Sequence, residues 1–315
     1  MIDSVRQFLR SVGLPSGDLH GLPTSEKRFP DGAQYRVEIP STEGPRALEA
    51  VLDEAARLDV VVHRVSQGSG VFMLSDAELD EYARIASEAN VEVSLFARPN
   101  AAWDTSAQAR ASAGAVLAPA VRGGDQLVYA LADVRRAADH GFRSVLVADV
   151  GLLAAFAAMR AAGELPSTMQ AKVSVMLPVA NPASARTIVE LGADTLNLPT
   201  DLSLAQIAAI RSVVDVPLDL YVEAPDNVGG FVRLYELPEI VRVAAPVYVK
   251  FGLRNAPDVY PSGAHLEPTV VALARARVRR ARLGLELLGR EAPNATASEL
   301  GAEGLAVPVV LVRTR

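Results

Sequence analysis

The sequence predicts a closed (β/α)8 barrel, and three observations carry that expectation. Eight short β-rich runs occur, at 34–41, 60–66, 91–98, 144–150, 172–179, 194–199, 217–224 and 247–252. Each is followed by apolar residues at three- and four-residue spacing, near 43–58, 75–89, 125–140, 151–163, 181–191, 203–213, 230–243 and 267–289. The eight units fit within about 255 residues, an ordinary size for such a barrel. An open doubly wound sheet is the alternative. Its dinucleotide-binding form starts with a glycine-rich first turn, whereas the first turn here reads Ser41-Thr42-Glu43-Gly44-Pro45.

Boundary signals agree with this reading. Ser75 followed by Glu78, and Asn181 followed by Pro182, are helix start signals. Gly141 and Gly192 stand where helix C-caps belong. Residues 1–32 are expected to form a helical N-terminal extension, 33–290 the barrel and 291–315 a tail. The apolar part of the tail, from Ala306 to Val312, is β-prone, and Pro308 within it suits an edge. An edge strand or an oligomer contact is expected there.

Composition narrows the function classes. The chain has 315 residues, 50% of them hydrophobic, with a mean hydropathy of +0.20, which excludes disorder as its main state. A net charge of −6 and a pI near 5.4 argue against a nucleic-acid partner. With no cysteine there is no disulfide, thiolate zinc site, cysteine nucleophile or ordinary iron–sulfur cluster. The N-terminus lacks a basic segment followed by an apolar core, and the most apolar stretch, 145–162, contains Asp149 and Arg160. A cytoplasmic protein with a small-molecule substrate, no membrane partner and a capacity to self-associate is expected.

Barrel strands alternate between the helix layer and the interior. Branched apolar residues should face out, which leaves Arg36, Glu38, Ser94, Phe96, Arg98, Lys172, Ser174, Met176, Thr195, Asn197, Asp219, Tyr221, Glu223, Tyr248 and Lys250 facing in. That interior is unusually polar. Arg36 or Lys172 with Asp219 would serve as ion pairs low in the barrel. The C-terminal strand ends carry the active site in such folds, and there stand Glu38, His63, Arg98, Asp149, Asn197, Glu223 and Lys250.

Lysine usage singles out one of them. Only Lys27, Lys172 and Lys250 are lysines among 31 Lys plus Arg. Where arginine serves for generic charge, a lysine points to a compact ammonium that can give up its proton. Glu223 on the neighbouring strand, and Glu38 across the barrel closure, are the expected acid–base partners, and two carboxylates would favour the ammonium over an imine. His63, read as closing strand two, adds an imidazole suited to proton transfer, although valines on both faces leave its direction open. Arg98, Asn197 and Asp149 would orient substrate. A divalent metal held by Glu38, His63, Asp149 and Glu223 is a weaker alternative, without HxH or HExxH spacing to support it.

Two glycine-rich turns are candidate anion sites: Gln67-Gly68-Ser69-Gly70, and Asn227-Val228-Gly229-Gly230 before a helix. Long loops run from 98 to 125, holding Trp103, and from 252 to 267, holding Arg254, Asp258, Tyr260 and His265.

The second half, with Gly192-Ala193-Asp194 and Val216-Pro217-Leu218-Asp219-Leu220-Tyr221-Val222-Glu223, resembles the barrel domain of the collagenase-like peptidases of unassigned mechanism. The resemblance spans about residues 190–255 and implies a barrel fold, in a family with members linked to RNA and to quinone hydroxylation. The family's cysteine motifs are absent here, so its cluster chemistry does not carry over. The expected function is a barrel lyase or isomerase acting on a small polar, anionic metabolite. A hydrolase resembling the peptidases is the alternative, and a non-catalytic ligand-binding barrel is the third reading.

Overall fold

The computed structural model describes residues 2–98 and 119–311. Eight parallel strands close on themselves in sequence order. They are β1 (Tyr35–Pro40), β2 (Arg64–Gln67), β3 (Glu92–Phe96), β4 (Ser144–Val147), β5 (Gln170–Val173), β6 (Thr195–Asn197), β7 (Leu218–Glu223) and β8 (Val247–Phe251). An N-terminal helix α1 (Ile2–Ser11) precedes them. Around them lie α2 (Pro45–Leu58), α3 (Asp76–Glu88), α4 (Gly123–Asp139), α5 (Val150–Ala161), α6 (Pro182–Glu190), α7 (Leu204–Arg211), α8 (Leu237–Ala244) and α9 (Glu267–Glu291). The β1–β8 pairing rules out the open sheet. No helix among the described residues is long and apolar enough to cross a membrane.

The local signals act as physical chemistry requires. Ser75 and Asn181 cap α3 and α6 in full capping boxes, each side chain accepting from the third helical N–H. Val37, Ile39, Val65, Val93, Leu95, Val145, Val147, Leu196, Leu220, Val249 and Phe251 face the helices in one continuous apolar core. Helix α9 comes close to the barrel at Gly284, where a Cβ would stand 2.5 Å from the Phe251 ring. Burying these outward residues leaves the polar alternate set inside the barrel.

Three stretches differ from the sequence reading. Strand β2 starts at Arg64, so 60–63 only lead into it. Strand β5 ends at Val173, and the chain turns at 174–177. Helix α8 begins at Leu237, well after Gly230.

The tail is not a strand at 306–311. It instead runs beneath the N-terminal ends of the strands. Ala297 bridges Tyr35, the Ser298 hydroxyl accepts from Arg36, the Glu303 carbonyl accepts from Arg36, and the Ala306 N–H donates to Glu92. Val309 N–H donates to the carbonyl of Gly141, a residue at φ 90° whose Cβ would collide with the Val309 carbonyl. From the other side Phe29 packs edge-on to Tyr248 at 5.3 Å, with Leu305 beside them. Removing residues 296–311 is therefore expected to leave Arg36 and His63 without these partners and to make the chain sensitive to limited proteolysis. Unchanged resistance would show that the plug is dispensable.

Candidate functional site

The interior charges form one network centred on Glu38, which is fully buried. The register places Glu38 opposite Arg64 on one side and Lys250 on the other. Its Oε1 accepts from Lys172 Nζ and from Ser66 Oγ at 2.8 Å, with Lys250 Nζ at 3.3 Å. Its Oε2 takes Arg64 Nε at 2.8 Å and Nη2 at 2.6 Å. Arg64 also reaches Asp219, and its guanidinium lies 3.4 Å from the centre of the Tyr248 ring. Asp219 Oδ2 is 3.5 Å from Lys172.

Electrostatics follows from this geometry. Burial alone would raise the Glu38 carboxyl, but Arg64, Lys172 and Lys250 outweigh it and hold Glu38 well below the usual carboxylate range. Burial lowers the Lys172 ammonium to about 7, helped by Arg64 and Lys250 and opposed by Glu38 and Asp219. A lysine titrating there exchanges its proton near neutral pH, which is uncommon outside functional sites.

Above the network opens a cavity of about 700 Å³ at the C-terminal ends of the strands, floored by Lys250, Asn197 and Tyr221. Lys250 Nζ lies 4.2 Å from the centre of the Tyr221 ring. With its amide oxygen turned to the lysine, Asn197 accepts from Lys250 at 2.8 Å and donates to the Asp219 carbonyl at 3.3 Å. Arg98 forms part of the wall, its guanidinium 5.6 Å from the centre of the Phe96 ring. Asp258 and Tyr260 of the second long loop line the rim, with Tyr260 bonded to Ser41 and packed against Gly68 so closely that no Cβ fits there. Trp103 lies outside the described residues.

Of the residues expected at the site, Lys250, Glu38, Asn197 and Arg98 come together. Three do not. Glu223 misses Lys250 because a register irregularity between Tyr221 and Glu223 turns it away. It pairs with Arg280 of α9 at 2.9 Å and accepts the Arg254 N–H at 3.0 Å. Asp149 caps α5, accepting from Leu152 N–H at 2.9 Å and Val121 N–H at 3.1 Å. His63 precedes β2 rather than ending it, and so sits at the plugged end of the barrel. There Nδ1 accepts from Val37 N–H and Nε2 donates to the Ser298 carbonyl at 2.7 Å. The metal set of Glu38, His63, Asp149 and Glu223 is thereby dispersed, and no group of three metal-ligating side chains occurs among the described residues.

Burial lowers the His63 imidazole to about 4, with the Ser298 carbonyl opposing and Arg36 adding to the shift. The unfolded chain therefore binds a proton between pH 6.5 and 4 that the folded chain refuses. Stability from His63 is complete above pH 6.5 and is lost as pH falls towards 4, by about 3 kcal/mol. Urea midpoints measured across this range should fall less steeply in His63→Gln than in the parent. Parallel curves would refute the assignment.

Both glycine turns also differ from expectation. In the first, the Gly68 and Ser69 N–H groups donate to the two oxygens of Glu43, and Gly70 N–H donates to Gln67. It does bind an anion, and the anion is the chain's own carboxylate. In the second, Gly229 N–H donates to the Asp226 carbonyl and Gly230 N–H to the Pro225 carbonyl, and no α-helix starts there. Gly229 lines the cavity without a free donor.

Sequence reasoning passed over Arg64 as the hub of the network. The signal was present: Val65 faces the helices, so parity alone puts Arg64 and Ser66 inside.

The fold is a (β/α)8 barrel with a cavity at the C-terminal strand ends. Residues 102–224 match the model of peptidase family U32, which bears out the resemblance seen in the sequence. Similar solved structures include the U32 peptidase Mk0906, at 20% identity over 64% of this chain and 73% of that one, TM-score 0.38. Others are the dimeric archaeal Rubisco from Hyperthermus butylicus, at 13% identity over 87% and 68%, TM-score 0.45, and 3-hexulose-6-phosphate synthase, at 16% over 78% and 99%, TM-score 0.42. No curated protein matches the chain.

Proposed function

We propose that this chain is a barrel enzyme acting on a small anionic metabolite by acid–base chemistry, as a lyase or isomerase. One observation carries the reading: Lys250, 2% exposed, stands at the floor of the cavity with Glu38 and Asn197 fixing its Nζ. A lysine held in place at the buried floor of a cavity stabilises negative charge developing on a substrate oxygen. Glu38, held ionised by its three cations, positions that ammonium and is not the acid. Lys172, which shares Glu38 Oε1 with Lys250, is the group whose charge can adjust as the substrate's charge changes. Arg98 would contact the distal part of the substrate.

The match to peptidase family U32 favours a hydrolase as the second reading. The test is a product assay on two panels, 2-oxo and 2-hydroxy acids on one side and short peptides on the other. Turnover of the acids alone supports the first reading, and peptide cleavage abolished by no change at Lys250 sinks it. Tight binding of an acid without turnover would leave a ligand-binding barrel. Borohydride added with a substrate acid is expected to leave Lys250 unmodified, because its Nζ is engaged by Glu38 and Asn197. A reduced adduct on Lys250 in the peptide mass map would overturn the acid–base role in favour of imine chemistry.

A further inference from the structure

We infer that the ligand of this cavity is a carboxylate carrying an apolar body, and not a phosphorylated metabolite. The inference rests on the Lys250 site proposed above and adds the class of ligand.

Three observations carry it. The first is the supply of donors. Barrels hold phosphate with backbone N–H groups of the loops after strands seven and eight. Here the N–H groups of Gly68, Ser69, Gly70, Val228, Gly229 and Gly230 are spent, on Glu43, Gln67, Asp226 and Pro225. Pro40 at the end of β1, and Pro178, Pro199 and Pro225 in the loops after β5, β6 and β7, have no N–H at all and line the cavity. The rim adds Asp201 and Asp258, which repel a dianion.

The second is the charge that reaches the cavity. Lys250 and Arg98 both line it, while Glu38, the carboxylate nearest Lys250, is already shared with Arg64 and Lys172. A single carboxylate seated against Lys250 and below Arg98 gives that charge a partner.

The third is the wall. Phe96, Leu146 and Met176 form an apolar patch on one side of the cavity, and the prolines continue it. Such a wall has nothing to offer a sugar hydroxyl and buries an aromatic or alicyclic body well.

The experiment is titration calorimetry of the full chain with 3-phenylpropanoate, acetate, 3-phenylpropanol and inorganic phosphate. Phenylpropanoate is expected to bind at least tenfold more tightly than the other three. Met176→Gln, which removes the apolar contact without adding charge, should weaken phenylpropanoate at least tenfold and leave acetate unchanged, with Met176→Ala as the milder variant should the first fail to fold. Phosphate binding as tight as phenylpropanoate, both lost in Lys250→Met, would overturn the ligand class while leaving the Lys250 site standing. Phenylpropanoate binding that is the same in a folded Lys250→Met protein would overturn the site itself.

Discussion

Arg64→Leu is expected to destabilise the protein by about 3–5 kcal/mol, the usual cost of removing one partner from a buried ion cluster. Arg64 holds both Glu38 and Asp219 through one guanidinium, and it is stacked on Tyr248. Burial works to lower its pKa, but Asp219, Glu38 and Glu92 more than reverse this, so the group is charged at any accessible pH. Without it Asp219 keeps only Lys172, at 3.5 Å, and the hydroxyl of Thr195, at 3.3 Å. Leucine fills part of the volume and supplies no donor. Urea denaturation gives the comparison directly. A loss below about 1 kcal/mol, the range of exposed pairs, would mean that the network is hydrated and not dry.

Lys250→Met is expected to lower turnover by about 10²–10⁴-fold, the range for removing a positioned acid–base group, with little change in melting temperature. The contrast with Arg64 comes from what each leaves behind. After loss of Lys250, Glu38 still holds Arg64, Lys172 and Ser66. The methionine stem can still rest on the Tyr221 ring, since thioethers pack well against aromatic edges. Stability and activity should therefore separate, the first nearly unchanged and the second lost. A folded Lys250→Met protein with full activity removes the lysine from the chemistry.

Much of this could be read from residue order alone. Period-two alternation in β1, β3, β7 and β8 identified the inward residues, and the scarcity of lysine pointed to Lys250. What escaped has physical causes. His63 follows three valines without a clear polar face, and the four-residue difference between the start of the run at 60 and the start of β2 at Arg64 moves it from the ligand end to the plugged end. Glu223 keeps the right parity but follows a register slip with β8, which no local pattern encodes. Asp149 sits at the end of a strand and at the start of a helix, and capping claimed it. Of the two glycine turns only the first holds a carboxylate, and that acceptor, Glu43, lies 25 residues from Gly68. Long-range pairing of this sort is where a single sequence stops being informative.

The plug under the barrel bears on how the protein is made. Arg36 of β1, His63 just before β2 and Glu92 of β3 find their last partners in residues 298–306. A ribosome releases those residues after every strand has emerged. Early strands must therefore wait with arginine, histidine and glutamate still hydrated, and the interior can dry only once the C-terminal segment has arrived. Vectorial synthesis favours domains that settle piece by piece; in this barrel the order of the contacts delays the drying of the interior until residues 298–306 have emerged.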